Sequence, residues 1–279
     1  MAIPKYTYLD FIGRKLFIWA FLLGWLQLLV RIAYIYLKVN DDLLVLIGVS
    51  PTVLPDINAY YYKNMIDLQL PLCFYFTFLM GSGLISLDLK HNAIVLYCAK
   101  PISRWEYFFG KFFAFFFLLI LLTGLQTLIT HVVQVAVLPA SEEMSFELWW
   151  KEAQTAGAIV SYAIIVSSTL TLMILTASSL AKNKNIAATI FVVYIVGSIM
   201  IAGLLYETFD KYHVLENNKV MFAITPLYAV EQVGQQLFQV KVHSPIMPNL
   251  AAWCGLGFLW VGCIGILFRQ LKRAARFAH

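Results

Sequence analysis

Six long apolar runs separated by short polar bridges constrain this chain more than any single residue does. They are read at 16–37, 68–87, 107–138, 153–180, 186–206 and 250–268. Each is close to or above the roughly 20 residues that an α-helix needs to cross hydrocarbon about 30 Å thick. Of the 279 residues, 61% are hydrophobic and 13% are charged. A soluble domain would carry about 25% charged residues, so the chain is read as an all-α polytopic membrane protein. A single transmembrane domain over 1–279 is expected, because no bridge is long enough to fold by itself.

The charges orient these runs. Alternate bridges and the termini collect Lys5, Arg14 and Lys15; Lys90, Lys100, Arg104 and Lys111; Lys182 and Lys184; and Arg269, Lys272, Arg273 and Arg276. The same segments hold only Asp10, Asp88 and Glu106 among the acids. Lys and Arg favour cytoplasmic loops, so six spans with both termini in the cytoplasm are expected. That bias accounts for the formal charge of +5 without a nucleic-acid partner. Residues 1–15 mix aromatics with charges and are read as an interfacial helix, with a disordered tail as the alternative. The cysteines Cys73, Cys98, Cys254 and Cys263 imply neither an extracytoplasmic disulfide nor a metal site.

Residues 81–111 form the most patterned bridge. Asp88 closes the second run, and Leu89 to Tyr97 are read as about two turns of amphipathic helix carrying Lys90, His91 and Asn92. Pro101 biases Lys100 away from helical angles. Ser103-Arg104-Trp105-Glu106 then reads as a capping box, with Ile102 and Tyr107 at the two positions of a hydrophobic staple. The third helix is therefore expected to start in the cytoplasm. Trp105 and Tyr107 would sit in the headgroup layer, Lys111 would snorkel back to it, and Gly110 would admit a close neighbour. From the residues alone, two readings stand: a handle for a partner protein, or an ordinary inner loop with interfacial anchors.

Other features carry a functional and a bland reading side by side. Arg31 is either a buried functional cation or, as favoured, a side chain that snorkels to the outer surface. Thr123, Thr127, Thr130 and Gln134 recur at helical spacing on the third run. Such a stripe is either a translocation path or, as favoured, glue between helices. Residues 207–248 form the longest outer stretch. Pro226, Glu231, Gln232, Gln235 and Gln236 make a full crossing there costly, so one or two short helices dipping into the outer leaflet are expected. The small residues of the fourth run suit close packing.

Chemistry of several kinds is missing from the sequence. There is no Gly-x-x-x-x-Gly-Lys-Ser/Thr phosphate loop and no His-Glu-x-x-His, so nucleotide hydrolysis or metalloprotease chemistry by this chain is not expected. Gly81-Ser82-Gly83 matches a serine nucleophile only weakly and has no identifiable base. Few ionisable groups fall inside the proposed spans, which argues against an ion-coupled transporter.

The bridge resembles the coupling region of the permease subunits of ABC exporters of the second type. The residues that carry the likeness are Leu96-Tyr97, Pro101-Ile102-Ser103-Arg104, Tyr107 and Gly110-Lys111. The close match covers about 30 residues; the six-span layout, the N-terminal helix and the Thr225-to-Glu231 run extend it loosely. His91-Asn92 departs from it, since many members carry Glu, Gly or Thr there. The resemblance implies two permeases side by side, as a homodimer or heterodimer in the lipid of a bacterial cytoplasmic membrane. It also implies two ABC ATPase subunits that hold the ATP and Mg, with no cofactor in this chain. Segment 88–106 would be the coupling segment, with Asp88, Lys90, His91, Asn92, Tyr97, Pro101, Ser103, Arg104, Glu106, Tyr107, Gly110 and Lys111 as its contact and coupling residues. Outward movement of an amphiphilic or lipid-like substrate is the implied function. The alternative is a non-transporting membrane partner of such an ATPase.

Overall fold

The computed structural model describes residues 15–46, 48, 50, 54–91, 103–137, 146–211, 218–240 and 245–276. Its helices are α1 (Lys15–Val39), α2 (Asp41–Leu46), α3 (Ala59–Phe76), α4 (Gly83–Lys90), α5 (Arg104–Leu122), α6 (Gly124–Val137), α7 (Phe146–Leu180), α8 (Lys184–Lys211), α9 (Pro226–Leu237) and α10 (Asn249–Arg276). A π-helical turn, Thr77–Gly81, joins α3 to α4, and a 3-10 helix, Asn218–Ile224, precedes α9. Among the described residues six helical stretches are long and apolar enough to cross a membrane: Phe21–Val39, Ala59–Lys90, Trp105–Val137, Phe146–Leu180, Lys184–Lys211 and Asn249–Arg273. Every described regular element is helical. The expected N-terminal interfacial helix falls almost wholly outside the described residues.

The core is built around α7. Its apolar window is 78% buried, against 22% for the first and fifth spans and 17% for the sixth. Small side chains make this position possible, because they let neighbouring backbones approach closely. A Cβ on Gly81 would lie 2.7 Å from Ile174, and one on Gly124 would lie 2.8 Å from the Cβ of Ala163. Bulky apolar residues of the outer helices, such as Leu29, Val193 and Phe258, remain exposed.

Several spans are longer than their apolar runs, and local bonds explain why. The second begins at Ala59 rather than 68, because Asn58 caps it by accepting from the N–H of Tyr61 at 3.0 Å. Lys63 and Asp67, at i and i+4, pair at 2.5 Å and travel inside the helix together. The same helix continues past 87, so Leu89 and Lys90 are the last turn of α4 rather than the start of a separate amphipathic helix. The third span starts at Arg104 and breaks at Thr123. Thr123 and Thr127 each donate to the carbonyl four residues back, a bond that bends helices. Seven turns or more of α7, α8 and α10 exceed the hydrocarbon thickness, so their ends project.

Lys90 and Ser103 mark one end of the bundle, the handle end; Val39 and Ala59 mark the far end. Among the described residues of 207–248 two short helices follow the end of α8, where one or two were expected. Pro226 opens α9 at N1, where its missing N–H costs nothing. Thr225, between the two helices, donates to the carbonyl of Ser198 near the midpoint of α8. Gln232 and Asn249 tie the other end of α9 to the start of α10 at 2.9 Å. A Cβ on Gly234 would fall 2.6 Å from the Tyr162 ring, and one on Gly255 would fall 2.3 Å from the carbonyl oxygen of Ala223. Both glycines admit contacts that any side chain would block.

Candidate coupling site

At the handle end one carboxylate joins the second span to the third. Asp88 lies near the end of α4, and the Tyr107 hydroxyl donates to its Oδ2 at 2.7 Å. Lys111 Nζ stands 3.0 Å from the same oxygen. Tyr107 and Lys111 are four apart on α5 and so share a face; the ammonium also sits 5.9 Å from the Tyr107 ring centre. The side chains of Asp88 and Lys111 are only 17% and 11% exposed, so each charge depends on the other for compensation. Tyr107 and Lys111 are both buried within the protein, and the Lys111 ammonium is met by a carboxylate rather than left to solvent.

The start of α5 is fixed twice. Ser103 Oγ accepts from the N–H of Glu106 at 3.1 Å, and Glu106 Oε2 accepts from the N–H of Ser103 at 2.8 Å. This is the expected capping box. One residue on, the Trp105 ring centre is 3.9 Å from that of Phe268 on α10. The first turn of α5 is thereby docked on the last span.

The base of α4 is held by α7. The π turn and the break at Ser82 leave the first N–H groups of α4 without intrahelical partners, and the Ser82 side chain does not cap them. Ser178 does so from α7: its Oγ accepts from the N–H groups of Ile85 and Ser86, both at 2.9 Å, and donates to the carbonyl of Ser82 at 2.8 Å. One donor and two lone pairs exhaust what a hydroxyl offers. Ser82 itself is buried. α4 and α5 are thus tied to each other through Asp88, and to α7 and α10 through Ser178 and Phe268.

The structure brings together Asp88, Tyr107 and Lys111, and places Lys90, His91, Ser103 and Glu106 exposed beside them. Gly110 is half-buried on α5. Asn92, Tyr97, Pro101 and Ile102 lie outside the described residues, and Arg104 provides the first helical residue of α5. Away from this site, Thr123, Thr127 and Thr130 are fully buried, and Thr130 donates to the Gln126 carbonyl at 2.9 Å. Gln134 accepts from the Tyr62 hydroxyl. These contacts are packing contacts within one chain.

Sequence reasoning passed over two features. Ser178 lies in a run of small residues where nothing local distinguishes it. Lys63, Asp67 and Tyr162 form a chain of bonds, with the Tyr162 hydroxyl donating to Asp67 at 2.6 Å. Lys63 is buried and lies inside the second span, whose apolar run was read as starting only at 68. The signal was its i, i+4 spacing to Asp67, on the helix face that also carries Ile66 and Cys73. His131 Nε2 lies 3.2 Å from the Glu152 carbonyl oxygen.

An apolar cleft of about 770 Å³ opens between α7, α8, the 3-10 helix, α9 and α10, with Met173, Tyr194 and Phe258 among its walls. No protein-family model matches the chain, and no curated protein matches it.

Proposed function

We propose that this chain is the membrane subunit of an ATP-driven exporter of the ABC type-2 kind. The observation that carries the reading is the clasp in which Asp88 binds both Tyr107 and Lys111. It ties the ends of two spans that residues 92–102 join in the chain. An ordinary loop needs anchors, but not a withdrawn ion pair that makes two helices move as one. In this reading the handle end and both termini face the cytoplasm. Two ATPase subunits, carrying ATP and Mg, press on segment 88–106, and a second permease subunit completes the pathway. The pair formed by the 3-10 helix and α9 is the re-entrant outer segment. The apolar cleft suits an amphiphilic or lipid-like cargo.

The test is reconstitution of the chain with its ATPase. Lys90→Glu should weaken ATPase binding, because a like-charge contact at an interface costs affinity and association rate. Ser103→Ala with Glu106→Ala should leave binding intact and lower cargo-stimulated hydrolysis, since a lost cap costs about 1 kcal/mol and loosens the lever without unfolding the chain. Unchanged binding and stimulation in both variants would leave the segment as an interfacial anchor only.

A further inference from the structure

At the far end, a cavity of about 440 Å³ lies between the last turns of α1, the start of α3 and the residues before it. That volume is within the roughly 300–1,000 Å³ of small-ligand sites. Its walls include Val30, Arg31, Asp56, Asn58, Tyr61 and Asn64. Arg31 was expected to snorkel; instead it is 5% exposed, and its Nη2 donates to the Met65 carbonyl at 2.8 Å. Its other terminal nitrogen, Nη1, is buried with no hydrogen-bond partner among the described residues. The Tyr61 hydroxyl, in the same wall, is also buried and unpartnered among the described residues.

A guanidinium only donates, and a phenol hydroxyl donates readily. Buried donors of this kind are costly to leave unmet, most of all on a charged group. The neighbouring groups are already engaged. Tyr34 stacks on Tyr61, with ring centres 5.4 Å apart, and its hydroxyl donates to the Pro55 carbonyl at 2.7 Å. Asp56, the acid on the rim, is exposed and lies 3.3 Å from Lys38 Nζ, so its charge is offset. Among the described residues the cavity therefore keeps one positive charge without an acidic partner, and two donors without acceptors, in the same wall.

We propose that this cavity binds a phosphate-bearing anion, held by Arg31 Nη1 and the Tyr61 hydroxyl. Arginine suits that role because its donors match phosphate oxygens. The level fits a lipid headgroup: Tyr34, Tyr60 and Tyr61 line the cavity, and such aromatic residues mark membrane–water boundaries. Exposed Leu26, Leu29 and Val30 on α1 supply an apolar track below. Free phosphate offers the same oxygens without the chains.

The full chain in neutral detergent is titrated with phosphatidylglycerol and with diacylglycerol, and binding is read by native mass spectrometry. Phosphatidylglycerol should bind saturably, and diacylglycerol, which lacks the phosphate, should not. Arg31→Gln should weaken phosphatidylglycerol binding by about tenfold or more, the scale of one lost charge-assisted hydrogen bond. Asn64→Asp changes an exposed position to a like-sized acid, so it should fold normally and still weaken binding by repelling the phosphate. Displacement of the lipid by inorganic phosphate would identify a soluble anion as the natural occupant; resistance to displacement would identify the lipid. Equal binding of diacylglycerol, or phosphatidylglycerol affinity unchanged in both variants, would overturn the proposal. No ATPase enters this experiment, so its result is independent of the coupling reading.

Discussion

Asp88 Oδ2 is the atom on which the handle end turns, since it accepts from a tyrosine and faces an ammonium at once. Replacing it separates the two roles. Asp88→Asn keeps an acceptor for Tyr107 but strands the Lys111 charge, and should destabilise the chain by about 1–3 kcal/mol. Lys111→Met alone should cost a similar amount, because it leaves the Asp88 carboxylate without its counter-charge while the Tyr107 bond remains. Asp88→Asn combined with Lys111→Met should recover part of the loss, since no charge is then unpaired. Thermal unfolding in detergent, run as a double-mutant cycle, should report a coupling of about 0.5–3 kcal/mol. Additive losses would mean that the two side chains do not interact.

The α4 segment is an element whose N-terminus is capped from another helix. Ser178→Ala removes the one group that serves the N–H groups of Ile85 and Ser86. An ordinary cap loss costs about 1 kcal/mol, and here two donors lose their partner at a buried site, so about 2 kcal/mol is expected. Gly81→Ala acts at the same junction by crowding. Its Cβ would meet Ile174 at 2.7 Å, and a β-branched side chain has little rotamer freedom to yield. Overpacking of this kind costs about 1–3 kcal/mol. Ile174→Ala should relieve Gly81→Ala, and the thermal midpoint of the double variant should exceed that expected from adding the two losses.

For the molecule as a whole, the orientation proposed here follows from an even number of spans and the concentration of Lys and Arg on one side. In a background with the four native cysteines replaced, single cysteines at Lys90, Lys182 and Arg273 should react only from the cytoplasm. Cysteines at Lys211 and Gln239 should react only from outside. Outer reactivity at Gln239 also tests the re-entrant reading of the 3-10 helix and α9, since a full crossing would put the residue after α9 on the cytoplasmic side. Gln239 suits the test because it is exposed, with φ 53°, at the turn that ends α9.

Six spans, the capping box at Ser103 and one or two short helices before the last span were legible in the amino-acid order. Each depends on apolar run length or on groups within four residues of one another. The lengths of the spans were less legible, because hydropathy does not register Asn58 as a cap or the Lys63–Asp67 pair as self-compensating. The clasp, the Ser178 cap and the burial of Arg31 were decided only by the tertiary structure. Asp88 and Tyr107 are 19 residues apart, Ser178 and Ser86 are 92 apart, and Arg31 and Met65 are 34 apart. Whether a charge snorkels or turns inward depends on which helix face arrives beside it, and that is set by the packing of all the spans around α7.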